Sequence, residues 1–374
     1  MSKNKKNKNG SVAFTVIFVL IGMLCGVFMT RILGDMFDEF GMIAGLVIEL
    51  LLFVAAYYLQ TIIHEAGHLA FGIATGYGFG SFRVGSVMIV KENGKLKIKK
   101  HSVAGTGGQC LMVPPEMVDG RIPVMLYNLG GVIMNVIAAA ISMLFVMITA
   151  SIPLLFAFFV MMVLTGIISA LANGIPMKMG MVNNDASNAR ELYKNEEAMR
   201  SFRNQFAVVD ALSKGEELCD MPRDWFFMPS EKGMMNSITA SAAVFLENRL
   251  VAEGKLDEAL ALIDKIFASE NALVGLHVNL LINDKIFIKL TSGELDEARA
   301  LYSEANYAMF AKQMKNNISV IRTEYAYKLL CERDTAGAAA ALVRFEQSAK
   351  THPYSVELVT ERELIALAGT RAGD

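Results

Sequence analysis

MIAGLVIELLLFVAAYYLQTIIHEAGHLAFGIA, residues 42–74, is the stretch on which the fold turns. It holds no Lys, Arg or Asp. As a helix rising about 1.5 Å per residue it exceeds a hydrocarbon core of roughly 30 Å, so it crosses with a tilt or projects beyond the bilayer. Three further apolar runs, at about 12–33, 123–149 and 152–172, are also long enough to cross, which predicts four transmembrane helices. The first follows a basic N-terminus, 1–11, with Lys3, Lys5, Lys6 and Lys8; its length and the lack of a small-x-small cleavage site favour a retained span over a signal peptide. The whole chain of 374 residues agrees with a membrane protein and excludes an ordinary soluble enzyme: 53% of residues are hydrophobic, 19% are charged and mean hydropathy is +0.40. A formal net charge of −2 leaves no basic field, so nucleic acid is not an expected partner. Cys25, Cys110, Cys219 and Cys331 lie far apart and read as reduced thiols.

Charge orients the spans. The segment 75–122 carries Arg83, Lys91, Lys95, Lys97, Lys99, Lys100 and Arg121, whereas the link after the first span carries Asp35, Asp38 and Glu39. The positive-inside rule then places that segment and both termini in the cytoplasm. Within it, Val87–Lys91 and Lys95–Lys99 flank Asn93-Gly94, the signal of a β-hairpin with a type I′ turn in a loop spanning 81–112. Residues 191–235 read as a helix and a linker punctuated by Gly215, Pro222, Pro229 and Gly233. In 236–374 a motif repeats: Gly254-Lys-Leu-Asp-Glu-Ala-Leu260 returns about 39 residues later as Gly293-Glu-Leu-Asp-Glu-Ala-Arg299, with a degenerate third copy near Gly337-Ala338-Ala339. That periodicity predicts stacked, tetratricopeptide-like helical hairpins. The fold class expected is an all-α polytopic membrane protein with a small cytoplasmic β-hairpin, followed by an α-helical repeat domain.

Chemistry sits inside the second span. His64-Glu65-Ala66-Gly67-His68 is an H-E-x-x-H. Positions i and i+4 share a helix face, so the two imidazoles can hold one zinc ion while Glu65 reaches a water as general base. Two histidines and a carboxylate in a span are costly unless something binds them. A hydrolytic zinc site also needs a third protein ligand and an open position. Residues 69–74 supply no third histidine, and Glu92, among lysines at the Asn-Gly turn, reads as a solvated tip. Asp185 reads by spacing equally well as a ligand or as the N-cap of the helix that follows. His101, His277 and His352 read as solvated or core residues, and Glu49 as lying near an interface or a water path.

These features together, an intramembrane H-E-x-x-H, a hairpin-bearing loop and Asn173-Gly-Ile-Pro176 leading to Asp185, resemble the site-2 protease family of intramembrane zinc metalloproteases over roughly residues 42–190. The resemblance implies a metalloprotease domain over 12–190, zinc bound by His64, His68 and Asp185, and Glu65 as catalytic base. The family's Gly-Pro-x-x-Asn is similar to Gly131-Val-Ile-Met-Asn135, with Val for Pro, and its Asp-Gly stands here as Asp185-Ala186. Asn135 and Asn173 are by the same analogy substrate-binding or supporting residues; interhelical hydrogen bonding is the alternative for both. The expected substrate is a membrane-anchored protein or peptide. Its unwound segment would add to a strand within Val84–Val90 or to the segment Gly105–Met112. The helical repeats would dock a protein partner or a second copy, and the family resemblance favours a bacterial cytoplasmic membrane. The competing expectation is a catalytically inactive membrane scaffold that recruits partners through the repeats.

Overall fold

The computed structural model describes residues 34, 41–92, 94–101, 107–179 and 182–372, so the apolar run at 12–33, with Cys25, lies outside the described residues. The other three runs each form one continuous helix: α1 Met42–Ala74, then α2 Val124–Ile148 and α3 Pro153–Gly174 beyond the intervening loop. All three are long and apolar enough to cross a membrane. α1 stops where Gly76 turns left-handed (φ +87°) and the Tyr77 N–H bonds back to the Gly72 carbonyl at 3.0 Å. Pro153 opens α3, where its missing N–H costs nothing.

The outer faces carry exposed Ile43, Leu46, Leu50, Leu51 and Val54 on α1 and Leu144, Met147 and Ile148 on α2, a pattern that suits lipid and not water. Inside, α1 and α2 touch at two glycines. A Cβ on Gly130 would lie 2.6 Å from the Gly67 carbonyl oxygen, so only glycine permits this crossing.

Between α1 and α2 the chain builds more than a hairpin. Strands β1 Gly78–Val84, β2 Val87–Glu92, β3 Lys95–Lys100 and β4 Gly108–Val113 form an antiparallel sheet in the order β3-β2-β1-β4. Glu92 pairs with Lys95 across a two-residue loop whose Gly94 has φ +76°; Asn93 lies outside the described residues. The Val84–Val90 segment, expected as a strand open to substrate, joins the two interior strands and has both neighbours filled, which removes it from that role. Among the described residues, β3 and β4 are the strands with one edge unpaired.

A two-residue ribbon, β5 Lys178–Met179 with β6 Val182–Asn183, follows α3, and α4 Asp185–Leu192 and α5 Glu196–Lys214 come next. Everything after residue 230 that is regular is helical: α6 Glu231–Met234, α7 Ser237–Ala252, α8 Leu256–Ala268, α9 Gly275–Thr291, α10 Leu295–Tyr302, α11 Ala305–Gln313, α12 Ile318–Ala326 running into a wider π turn Tyr327–Cys331, α13 Thr335–Ala349 and α14 Glu357–Arg371. They share one core around Ile263, Leu281, Phe287, Phe310, Ile321 and Phe345. Gly254 and Gly293 are both left-handed, and the third such position is Arg333 (φ +54°); the alanines five residues on, Ala259, Ala298 and Ala338, are all buried. Gly337, near which the sequence suggests a third copy, lies within α13, and the left-handed turn before that helix falls at Arg333.

Candidate metal centre

α1 places Gln60, His64 and His68 at successive four-residue steps along one face, and all three are buried. Asp185 reaches them from the far end of α3 through Asn184. The Asn184 Nδ2 donates to the carbonyls of Ala172 (2.7 Å) and Ile175 (2.6 Å), while its Oδ1 accepts from the backbone N–H of Met177 (3.1 Å) and Ser187 (3.0 Å). Asn184 is therefore the N-cap of α4, and it staples that helix to the end of α3. The N-cap alternative for Asp185 falls: it is the first residue inside α4, with its carboxylate turned toward the histidines.

Three ligand-type atoms converge. Asp185 Oδ2 lies 3.0 Å from His64 Nε2 and 3.4 Å from His68 Nε2, and the two Nε2 atoms are 3.2 Å apart. His68 Nδ1 is 2.8 Å from the Tyr127 carbonyl, which can only accept; this nitrogen carries the proton and a neutral His68 turns a bare Nε2 into the cluster. His64 Nδ1 makes the corresponding bond at 2.7 Å to Asn135 Oδ1. Burial alone would raise the Asp185 carboxyl, but contact with the two imidazoles outweighs it and holds the group below the usual carboxylate range. With both imidazoles neutral and protonated at Nδ1, two Nε2 lone pairs and the Asp185 carboxylate oxygen would converge on one point, an arrangement that a cation favours. Two nitrogens and one oxygen, each histidine oriented through its second nitrogen, make a donor set that fits a divalent ion such as zinc.

Glu65 is buried beside the cluster, and glycine makes room around it. A Cβ on Gly108, the first residue of β4, would collide with Glu65 Oε1 and lie 2.6 Å from its Cγ; one on Gly131 would lie 2.5 Å from His64 Cε1. The open edge of β4 thus starts against the carboxylate. Buried Arg83 donates from β1 to the carbonyls of Gly85 (2.8 Å) and Gly108 (3.2 Å), holding that end of the sheet.

His64, Glu65, His68, Asp185 and Asn135 come together; Asn173 does not join them, and its amide donates at 3.1 Å to the Ser169 carbonyl one turn back on α3. Glu49 lies about 22 Å along α1 from His64 at the helical rise. His101 packs against His352, and burial, with that neighbour, pushes it down to about 4. Glu217, Cys219 and Asp220 form a second group of metal-type ligands on the linker, with the two carboxylates exposed and the thiol half-buried. Cys110, Cys219 and Cys331 are free thiols. Gln60, Gly108 and Tyr127 escape a reading of the sequence because each acts through a partner distant along the chain. No known protein family, curated protein or solved structure matches the chain.

Proposed function

We propose that this chain is a zinc-dependent intramembrane endopeptidase, similar to the site-2 protease family, that hydrolyses a peptide bond in or beside a transmembrane segment of a membrane-anchored substrate. The observation that carries this reading is the meeting of His64, His68 and the distant Asp185 next to Glu65, with both histidines and the glutamate buried on a helix apolar enough to cross a membrane. Zinc in that set would polarise the scissile carbonyl and acidify water toward a pKa of about 7. Glu65 takes the proton from the attacking water and returns it to the leaving amine, so the C–N bond breaks with water added across it. The β4 edge, starting at Gly108 beside Glu65, holds the unwound substrate extended by strand addition. α1, α2 and α3 keep lipid from the site.

In the same reading 12–33 is the first of four spans, the sheet and both termini are cytoplasmic, and 236–374 is a tetratricopeptide-like array. That array docks a regulator, a substrate tail or a second copy. The deciding experiment measures zinc per chain in detergent-purified wild type, Glu65→Gln and Asp185→Ala, alongside cleavage of a transmembrane-helix fusion co-expressed with each. Glu65→Gln should keep its metal and lose cleavage, and Asp185→Ala should lose both. Wild type without zinc would overturn the reading in favour of the inactive scaffold.

A further inference from the structure

Gln60 and Asn135 are both fully buried, one helical turn before His64 on α1 and midway along α2. Amide side chains in such surroundings are costly unless every polar group is partnered, and here the partners form a chain with a direction. It starts at the backbone carbonyl of Met162 on α3, which can only accept. The Gln60 side chain, 2.9 Å away, must donate to it through Nε2. That turns Oε1 toward Asn135, whose Nδ2 donates to it at 2.7 Å and to the Gln60 backbone carbonyl at 3.0 Å. Oδ1 is then the Asn135 atom facing His64 Nδ1 at 2.7 Å, so Nδ1 carries the proton and Nε2 keeps its lone pair toward His68 and Asp185. An Asn135 amide turned over would present N–H groups to Nδ1, drive the proton to Nε2 and close it as a ligand. His68 needs no such relay, since a backbone carbonyl meets its Nδ1 directly.

Space is reserved for the relay. Gly166 stands in the interior of α3, where glycine costs about 1 kcal/mol relative to alanine. A Cβ there would lie 2.7 Å from Gln60 Nε2, 3.1 Å from Ala139 Cβ and 3.2 Å from the Asn135 backbone oxygen.

We propose that Gln60 is a positioning residue of the metal centre: acting through Asn135, it locks His64 in the Nδ1–H tautomer, so that the backbone of α3 sets the ligand's protonation. This rests on the metal reading above. The test is zinc affinity, by chelator competition on the full detergent-purified chain, for wild type, Gln60→Met, Asn135→Asp and the Gln60→Met/Asn135→Asp pair. Gln60→Met leaves the Asn135 amide held only by the Gln60 backbone carbonyl, which loosens its orientation and should weaken zinc binding about 10-fold. Both oxygens of a carboxylate accept, so Asn135→Asp presents an acceptor to His64 Nδ1 whichever way it turns; alone, its other oxygen opposes Gln60 Oε1 and it should bind zinc more weakly than wild type, whereas in the pair, where Oε1 is gone, it should restore most of the loss of Gln60→Met. Should Gln60→Met fail to accumulate, Gly166→Ala, which pushes the amide aside, takes its place with the same two expectations. Unchanged affinity in the single variant overturns the inference. A loss that the pair does not repair also overturns it, because Gln60 would then only pack α1 against α3. Wild type that binds no zinc removes the metal reading and this inference with it, whereas zinc-binding wild type with either of the former results removes the inference alone.

Discussion

In the proposed zinc-protease reading, two glycines within van der Waals reach of the cluster separate holding a metal from using it. Gly131 faces the His64 ring, and a methyl group there has nowhere to go except into Cε1 and Nδ1, at 2.5 and 2.6 Å. Gly131→Ala should therefore displace the ligand and lower bound zinc per chain, read by elemental analysis. Gly108 faces Glu65 and not a ligand, so Gly108→Ala should leave zinc content unchanged while cleavage of the transmembrane fusion falls about 100-fold, the order of loss when a reacting group is misplaced by about 1 Å. Equal loss of zinc in both variants would sink the distinction. The legible part of this site is the local part: His64, Glu65 and His68 announce themselves because four-residue spacing on a helix is written in the sequence. Asp185 is not legible in that way. Asn183, Asn184 and Asp185 are three consecutive capping-type residues, and which of them caps α4 is decided by the carbonyls of Ala172 and Ile175, contacts that no spacing encodes.

Among the elements, the spans 42–74, 123–149 and 152–172 match α1, α2 and α3 to within a residue or two, since a long apolar run has few other fates. The hairpin β2–β3 is equally legible from its period-two alternation and Asn-Gly turn. β1 and β4 are hidden for a physical reason: Gly78-Phe-Gly-Ser and Gly107-Gly108-Gln109 have the composition of loops, and they are strands because glycine lets β1 lie against β4 and β4 against Glu65. The two sheet edges also differ. β3 alternates lysines, a pattern that discourages strand addition, and Lys99 donates to the carbonyls of His352 (3.1 Å) and Pro353 (2.8 Å) ahead of α14. Lys99→Met should release that tie, at about 1 kcal/mol for the lost bonds, and speed hydrogen exchange of the 95–100 amides about fivefold. Unaltered exchange there would show that the contact does not hold the edge.

Across the whole molecule, the 39-residue offset makes an array of helices legible after 236, whereas its third turn hides because Arg333 occupies the left-handed position where the first two turns use glycine. What lies inside the array is less visible still. Arg322, from α12, is fully buried and paired with Asp284 of α9 and Glu361 of α14, and Glu247 of α7 is buried close by with neither carboxylate oxygen partnered. Two carboxyls therefore pair with one guanidinium, and a third lies near it unpaired. Burial raises Glu361 to about 7 against the opposing pull of Arg322, and it raises Glu247 as well. The folded chain accordingly keeps protons that the unfolded chain releases near pH 4.5. Stability from these groups is complete below that pH and is lost as pH rises toward and through about 7. For Glu361 the loss is on the order of 1–3 kcal/mol. Trp225, the chain's one tryptophan, packs in the cluster of Phe226 and Tyr354 where the linker meets the array, and its fluorescence can follow thermal unfolding. Glu361→Gln reproduces the protonated state, so it should match wild type at pH 5 and melt several degrees higher at pH 8. Arg322→Met leaves the carboxyls without their counter-charge and should melt lower than wild type at both pH values, more so at pH 8, where they are forced toward ionisation. Parallel pH profiles for wild type and Glu361→Gln would show that Glu361 is not the group whose proton the array holds.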